Sequence, residues 1–490
     1  AFKVGLGSAA WLTTGLAAAL AGTVFGLDAV GLTLAVGKGA WTGAWILMIV
    51  VPALLLFQIA ESSGALAVLG DALSTVAPTD GRLLLLLGWV FPSFLQGTAG
   101  FGTPVVVAAP MLVRAGVPPA VAVATCLVGY HWSVTFGSMG SSFFVASGVT
   151  QLDPEATAVF ALRAASLLAV HVLAAAALLL AGARAEMRDA LPRALAIGLV
   201  MGATLVLVVT VQPALGSTAA GLAGLGAAAV VLPARGQTPA WGRLVRAGAP
   251  YLLLTALVVT AFGIPAVKEI AGRVPPLAPS FPATTAAFGP VNAAIDAHQP
   301  LRPLLHPGLY VLIAAAFAAW RFWRIGGVGL TALATPFRTV LHGWRGLSAK
   351  TAGSLLGLTT LAAVMVDAGM IAAMAEALTR ALGPAYVAVA PAVGAVGTVL
   401  TGSTTASNAL LSPLQASAAA RLHLAESALL AGQTVGGNVG NILAPINVLI
   451  AAAAAGCRGE EAAILRQAAP PALALLALAS LGTALFAFGG

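Results

Sequence analysis

The sequence predicts an all-α polytopic membrane protein with about 12 transmembrane helices and two additional re-entrant hairpins. Composition is the first observation: 60% of the 490 residues are hydrophobic and 8% are charged, whereas soluble domains carry about 25% charged residues. The second is the length of the apolar runs, which approach the ~20 residues that a spanning helix needs. The third is a pair of apolar stretches, one in each half of the chain, interrupted by short polar, glycine-rich sequences.

Eleven apolar runs are predicted to span the membrane, and residues 61–82 form either a further short span or an interfacial helix. We treat residues 1–490 as a single integral membrane domain. The first run lacks a small-residue cleavage site followed by soluble sequence, so it is interpreted as a retained helix. The runs cover residues 6–26, 39–60, 118–147, 156–182, 189–211, 217–233, 247–264, 307–320, 351–376, 424–455 and 468–489.

The Lys and Arg residues are concentrated in alternate loops, which predicts the orientation of the chain. Cytoplasmic loops carry the excess of basic residues. Three loops with eleven of them are therefore placed inside, and the long loop 265–306, with three, is placed outside. The inside group is Arg184, Arg188, Arg193, Arg235, Arg243, Arg246, Arg321, Arg324, Arg338, Arg345 and Lys350. The outside group is Lys268, Arg273 and Arg302.

This topology predicts two repeats of opposite orientation, repeat 1 at about 39–211 and repeat 2 at about 307–490, divided by the outside loop 265–306. Seven crossings separate Arg114, after the first interrupted stretch, from Glu376, before the second, and an odd number reverses orientation. Inverted repeats bring two half-helix ends together at the middle of the membrane, around a substrate site. We therefore expect an inverted-repeat secondary transporter.

The first interruption, Gly97 to Pro104 (GTAGFGTP), is predicted to be the tip of a re-entrant hairpin. Its arms, Leu83–Leu95 and Pro104–Val113, are each about 15 to 20 Å long as helices, too short to cross ~30 Å of hydrocarbon. Thr103 can cap a helix that starts with proline, and the free amides of a helix N-terminus attract a carboxylate. The alternative is a glycine-rich packing turn. The candidate anion-binding residues here are Gln96, Gly97, Thr98, Gly100, Gly102 and Thr103.

The second interruption, Thr401 to Asn408 (TGSTTASN), is rich in uncharged hydrogen-bonding side chains. Such groups can bind a hydroxy acid or coordinate a cation. The alternative is interhelical hydrogen bonding, which Ser, Thr and Asn commonly make in membranes. The density of polar groups favours a binding site. Its candidate residues are Ser403, Thr404, Thr405, Ser407 and Asn408.

A polar, glycine-rich segment follows each interruption, at Gly129–Gly140 and at Gly432–Asn441, with Pro445 beyond the second. We expect unwound backbone in both segments, which would add carbonyl groups to the same cavity. Side chains from these segments are also expected there. They are His131, Ser133 and Asn438. For His131, a buried core histidine is an equally supported interpretation.

Asp367 is predicted to lie in the middle of the 351–376 helix, between apolar residues. A carboxylate inside the membrane is costly and is a functional hypothesis by default. We interpret Asp367 as the proton carrier, with His131 as a possible second coupling group. The alternative is an ion pair, for which Arg163 is the only arginine predicted within a span. Glu61 and His171 are weaker candidates.

Four segments resemble a known family. Phe94–Pro104 (FLQGTAGFGTP) resembles the FLEGAAGFGTP signature of the lactate permease family, and Gly402–Leu410 (GSTTASNAL) is similar to its GSDTSSNALF. Ala108–Pro110 and Ser133–Gly137 extend the resemblance. The resemblance implies a helical carrier of the bacterial inner membrane. It also implies transport of L-lactate, and often of D-lactate or glycolate, in symport with protons.

Several residues depart from the family pattern. Gln96 and Thr404 stand where the family has Glu and Asp, and Asp367 stands where it has Asn. His131 replaces a small or amide residue. Two acidic groups are thus lost from the predicted hairpins and one is gained on a neighbouring helix. The resemblance therefore does not transfer the family's coupling residues unchanged.

The leading hypothesis is import of a small 2-hydroxymonocarboxylate by proton symport, with sodium coupling as the alternative. The expected partners are the carboxylate, H⁺ or Na⁺, and the lipid bilayer. No nucleic-acid binding, cofactor or metal centre is expected, since the basic residues lie in loops and Cys126 and Cys457 have no metal-ligand spacing. An intramembrane enzyme is disfavoured because no HExxH, DxD or GxSxG motif is present. A passive channel is a minor alternative.

Overall fold

The computed structural model describes residues 5–74, 80–98, 100, 102–181, 187–232, 241–287, 292–324 and 337–489. Arg184 and Arg235, predicted in cytoplasmic loops, lie outside the described residues. The first-half helices are α1 (Leu6–Thr23), α2 (Ala29–Ser62), α3 (Ala65–Ser74), α4 (Asp80–Leu85), α5 (Phe91–Thr98), α6 (Thr103–Arg114), α7 (Pro119–Tyr130), α8 (Ser141–Thr150), α9 (Pro154–Ala181), α10 (Met187–Val209) and α11 (Gly216–Val231). They are followed by α12 (Trp241–Gly263), α13 (Pro265–Gly272), α14 (Pro307–Arg324), α15 (Phe337–Asp367), α16 (Met370–Leu382), α17 (Tyr386–Thr401), α18 (Thr404–Leu422), α19 (Glu426–Leu443), α20 (Pro445–Ala454) and α21 (Glu461–Phe488).

The prediction of an all-helical membrane protein is confirmed. Within the described ranges, eight helices are long and apolar enough to cross a membrane, or ten when two bent helix pairs are each counted as one span. The bent pairs are α7 with α8, at 41°, and α19 with α20, at 45°. The total of about 12 spans, the re-entrant nature of the hairpins and the repeat boundaries stay predictions.

The first interruption is the turn of a helical hairpin. Its first arm runs from α4 through a π-helical turn, Leu86–Val90, into α5, and α6 packs back against it. The π-turn lies where Pro92 has no backbone N–H to donate to the carbonyl of Gly88. A Cβ atom at Gly129 of α7 would overlap that carbonyl oxygen, so glycine lets the two backbones touch.

The second interruption is also the turn of a hairpin, formed by α17 and α18. Ser407 Oγ donates to the carbonyl of Gly394 at 2.8 Å, and Gln415 Nε2 donates to the carbonyl of Ala390 at 3.3 Å. These bonds join antiparallel arms. The chain reverses at Gly402, whose φ is +74°.

The predicted unwinding of Gly432–Asn441 is wrong, because α19 continues through it and the chain bends at Ala444 instead. The glycines serve close packing. Cβ atoms at Gly436 and Gly440 would overlap the carbonyl oxygens of Pro391 and Ala395 in α17. Small residues four apart are typical of membrane helices whose backbones approach closely.

Two helix boundaries, the end of α15 and the start of α2, also differ from the predicted ones. The 351–376 helix ends at Asp367, and α16 starts after a turn at Gly369. Helix α2 begins at Ala29, ten positions before the predicted start at residue 39, so that Lys38 lies within it. Burying Lys38 requires a partner, and that partner is Asp367 of α15.

The described parts of loop 265–306 form α13 and an extended hairpin. Antiparallel bridges join Leu277 to Leu301, Phe281 to Ile295 and Thr284 to Asn292. The hairpin rests on α2, where Trp41 Nε1 donates to the carbonyl of Gln299 at 3.1 Å. The loop that the charge pattern places outside therefore covers one end of the helical core.

Candidate functional site

The turns of the two hairpins meet at a polar cavity of about 40 Å³, which we call the tip cavity. A water needs about 10–15 Å³ of such space, so the cavity has room for a few waters or for the polar end of a small ligand. It is lined by Gln96, Gly102, Val134, Ser138, Ser141, Ser142, Gly402, Ser403, Thr404, Thr405, Asn441 and Asn447.

Four helices begin at the tip cavity. Helix α6 starts after Gly102, α8 starts at Ser141, α18 starts after Ser403, and α20 contributes Asn447 from its first turn. Each helix N-terminus carries free N–H groups and a partial positive charge of about half an elementary charge. None of the described residues that line the cavity carries a charge. Backbone amides at helix starts, together with the neighbouring hydroxyl groups, are groups that can bind a small anion.

Hydroxyl groups connect the second hairpin to α8 beside the tip cavity. Ser142 Oγ and Thr405 Oγ1 share a hydrogen bond of 2.8 Å, and Asn408 Nδ2 donates to the carbonyl of Ser142 at 3.0 Å. The hydroxyl of Thr404 is buried and has no hydrogen-bond partner among the described residues. A buried polar group without a partner is unusual, and here a ligand in the cavity can supply one.

A buried polar network continues from Asn408 into the core. Asn408 Nδ2 also donates to Thr434 Oγ1 at 2.9 Å, and Thr434 shares a 2.9 Å bond with Thr135. Thr135 donates to Asn438 Oδ1 at 3.1 Å. The network joins α18 and α19 to the non-helical segment between α7 and α8. It fixes the helix ends that form the tip cavity.

The structure brings part of the predicted site together. The predicted residues that line the tip cavity are Gln96, Gly102, Ser403, Thr404 and Thr405. Gly100 lies in the turn beside Gln96, and Thr103 begins α6. Asn408 and Asn438 belong to the network behind the cavity, while Ser407 bridges the arms of its own hairpin.

Other predicted residues face away from the tip cavity. A Cβ atom at Gly97 would lie 2.6 Å from the backbone nitrogen of Thr218 in α11, so this glycine serves packing. The hydroxyl of Thr98 donates to the carbonyl of Leu95 in its own helix. Ser133 likewise donates to the carbonyl of Tyr130.

His131 is buried between helices and does not line the tip cavity. Its Nδ1 lies 2.7 Å from the carbonyl oxygen of Val128, and its Nε2 lies 3.1 Å from Nδ1 of His171 in α9. Both ring nitrogens are thus occupied by protein groups. The geometry agrees with the alternative interpretation of a core histidine.

Several polar residues that line the tip cavity were not predicted from the sequence: Ser138, Ser141, Ser142, Asn441 and Asn447. Ser138 lies near the end of the polar segment Gly129–Gly140, and Ser141 and Ser142 directly follow that segment. Asn447 lies two residues after Pro445. Polar residues just after a proline or glycine break were the available signal, because such residues occupy a helix N-terminus.

Asp367 lies in a second, larger cavity of about 370 Å³, which we call the outer cavity. Its Oδ2 is 2.8 Å from Nζ of Lys38, and both side chains are 4% exposed. The ion-pair alternative is therefore realised, but with Lys38 rather than with Arg163. Arg163 instead donates to Ser427 Oγ at 3.0 Å.

The two cavities lie at different levels along one helix pair: the outer cavity is at the C-terminal end of α8 and beside the middle of α18. Helices α8 and α18 both start at the tip cavity, and Val149 of α8 and Pro413 of α18 line the outer cavity. Eight residues of helix correspond to about 12 Å. The two helices therefore run parallel from one cavity to the other.

The glycines at the two hairpin turns give a matched stability prediction. Gly102 (φ +81°) and Gly402 (φ +74°) both adopt the left-handed conformation, which costs an alanine about 1 kcal/mol. A Cβ atom at Gly102 meets nothing within 4 Å, whereas one at Gly402 overlaps Ile446. Gly402→Ala is therefore expected to lower the melting temperature of the purified protein clearly more than Gly102→Ala. Equal shifts would contradict the contact between the second turn and α20.

Comparison with known sequences gives a consistent result. Residues 2–488 match the family described as L-lactate permease. The L-lactate permease of Escherichia coli (strain K12) is 27% identical over 469 residues, covering 87% of this chain and 81% of the relative. The glycolate permease GlcA of the same strain is 28% identical over 469 residues, with the same coverage.

The fold also resembles a solved transporter structure. The YdaH transporter of Alcanivorax borkumensis superposes with a TM-score of 0.58 over 98% of each chain, at 18% sequence identity. At this identity the likeness concerns the fold alone. It agrees with an arrangement of helices known in a membrane transporter.

Proposed function

Because this chain belongs to the L-lactate permease family, we propose that it imports a small 2-hydroxymonocarboxylate by proton symport. L-lactate is the first candidate substrate, with D-lactate and glycolate next. The family consists of transporters rather than enzymes, and the chain is a multi-pass membrane protein. We place it in the bacterial cytoplasmic membrane, in keeping with its bacterial relatives.

The observation that carries the proposal is the convergence of four helix N-termini on the tip cavity. A carboxylate is the small anion that such a site accepts through backbone amides without a cationic side chain. The backbone N–H groups of Thr404 and Thr405 at the start of α18 would hold its two oxygens, since at the start of α6 the N–H of Thr103 already donates to the carbonyl of Gly100 and Pro104 has none. The hydroxyl of Thr404, which has no partner among the described residues, would bond the substrate 2-hydroxyl group.

The size of the tip cavity restricts the substrate to a short chain. About 40 Å³ admits the carboxylate and hydroxyl end of a hydroxy acid but not an extended hydrocarbon tail. The side chain of Val134 supplies an apolar contact for a methyl group. Lactate and glycolate meet these limits.

Asp367 is the proposed proton-binding group. It is a buried carboxylate in a chain whose hairpin turns carry no acidic residue. Protonating Asp367 alone would leave Lys38 as an unpaired buried cation, so a second anion must balance Lys38 when the proton binds. We leave His131 out of the proposed coupling, because Val128 and His171 already occupy its ring nitrogens.

Uptake of labelled L-lactate into proteoliposomes tests the proposal. An inward proton gradient, without sodium, is expected to drive accumulation of lactate above the external concentration. The same gradient without protein is the control. Loss of accumulation in sodium-free buffer with recovery on adding Na⁺ would favour the sodium-coupled alternative. Equilibration without accumulation under either gradient would contradict active transport.

A further inference from the structure

The outer cavity contains a buried cation with unused hydrogen-bonding capacity. The Lys38 ammonium group has three N–H donors, and Asp367 is its only hydrogen-bond acceptor among the described residues. Removing one charge of a buried ion pair is strongly destabilising, whereas replacing both members by well-packed apolar residues is often neutral. A buried pair is therefore weak evidence for a purely structural role. An ammonium group held beside empty space by a single carboxylate can exchange that carboxylate for another.

The remaining wall of the outer cavity suits a small hydroxy acid. Its volume, about 370 Å³, is far larger than that of the tip cavity. The residues that line it include apolar Val149 and Ile371 and polar Gln151 and Ser417. A carboxylate on Lys38 would therefore have both an apolar contact for its alkyl end and partners for a hydroxyl group.

The outside loop forms the cover of this cavity. Asn292 lines it and donates through Nδ2 to the backbone carbonyl of Asp367 at 3.0 Å. His298 of the same loop lies 3.0 Å from Thr42 Oγ1 on α2. The cavity therefore lies between the core and the segment that the charge pattern places outside. A substrate arriving from that side meets Lys38 before it reaches the tip cavity.

Few other ionisable groups face the Lys38–Asp367 pair. Burial lowers the pKa of His298 below its ordinary value of 6.5, so this ring is uncharged at neutral pH. Helix α8 carries no ionisable residue, and on the side of α16 and α18 the described ion pair of Glu376 and Arg421 lies at the surface. Asp367 is thus the one described carboxylate that balances Lys38 in the outer cavity.

We propose that the outer cavity is a loading site at which the substrate carboxylate replaces Asp367 on Lys38 as Asp367 takes up a proton. One proton and one monocarboxylate enter together, so the net charge of the cavity is the same before and after loading. When the substrate leaves Lys38 for the tip cavity, the proton of Asp367 passes to the departing carboxylate, so that anion and proton leave the outer cavity together and Asp367 pairs with Lys38 again. The inference rests on the proposed function, and it predicts that one proton accompanies each anion.

Lactate binding in a variant with a blocked tip cavity tests this inference. Ser403→Asp places a carboxylate in the tip cavity, so residual binding of labelled L-lactate by the purified protein in nanodiscs reports on the outer cavity. That residual affinity is expected to fall as the pH rises, by up to about tenfold per pH unit, since each bound anion requires one proton. Adding Asp367→Asn is expected to remove the pH dependence, and adding Lys38→Gln to abolish residual binding.

Two controls separate the possible outcomes. Lys38→Gln/Asp367→Asn keeps a neutral hydrogen-bonded pair and is expected to fold but not to bind in the blocked background. Glu376→Gln, which breaks an exposed ion pair, is expected to leave the pH dependence unchanged. The loading site is refuted if the unblocked protein binds lactate and the Ser403→Asp variant does not. It is also refuted if residual binding is the same with and without Lys38→Gln. In both cases the proposed function stands. If the unblocked protein neither binds nor transports lactate, the proposed function itself fails.

Discussion

Valine in place of Gly436 is expected to prevent this protein from folding stably. Gly436 packs against α17 so closely that even a Cβ atom would overlap the carbonyl oxygen of Pro391. Backbone atoms cannot rotate away as a side chain can, so α17 and α19 would have to separate along their length. Overpacking in a tight core costs about 1–3 kcal/mol and more where the neighbours cannot move. We expect a loss of at least about 3 kcal/mol.

Thermal unfolding in detergent, followed by size-exclusion chromatography, measures this effect. Gly226→Ala is the matched control, because Gly226 lies within α11 and a Cβ atom there meets nothing within 4 Å. Alanine is a better helix former than glycine by about 0.5–1 kcal/mol, so this variant is expected to unfold at the same or a higher temperature. A Gly436→Val protein that unfolds at the wild-type temperature would contradict the described packing of α17 on α19.

Ser403→Asp is expected to reduce lactate uptake by more than about 100-fold, whereas Ser403→Asn is expected to retain most of it. Two like charges about 5 Å apart repel by about 3 kcal/mol at an effective dielectric constant of ~20, which is more than a 100-fold loss of affinity. The aspartate would occupy the position where four helix N-termini favour the substrate carboxylate. The asparagine has the same shape without the charge.

Both substitutions preserve the start of α18. Ser403 Oγ accepts a hydrogen bond from the backbone N–H of Ala406 at 3.3 Å, and Asp and Asn cap helices as well as Ser does. Melting temperatures of the two variants are therefore expected to be close. Uptake by the Asp variant equal to that of the Asn variant would show that the carboxylate does not bind at the tip cavity.

Local sequence signals predicted the hairpins well. Pro104 and the polar run after Gly402 mark helix starts, and glycines in left-handed turns precede both. These features depend on neighbouring residues, so they are visible in the chain itself. The same local signals selected Gln96, Ser403, Thr404 and Thr405 among the residues that line the tip cavity, but not Ser138, Ser141, Ser142, Asn441 and Asn447.

Features that depend on distant residues were not predictable in this way. Lys38 and Asp367 are separated by 329 positions, and the charge of Lys38 made the apolar run appear to begin after it. The glycines of α19 were interpreted as unwound backbone because glycine also breaks helices. Only the position of α17 shows that they allow contact between two helices. His131 was ambiguous because its partner, His171, is also distant in sequence.

Helices α8 and α18 both extend from the tip cavity to the outer cavity. A ligand in the outer cavity would contact α8 and α18, the two helices whose first residues also line the tip cavity. A bulky hydroxy acid that fits the outer cavity but not the tip cavity would stay bound between α8 and α18 and would prevent further transport. Such compounds would act as transport inhibitors that enter from outside and are never carried across.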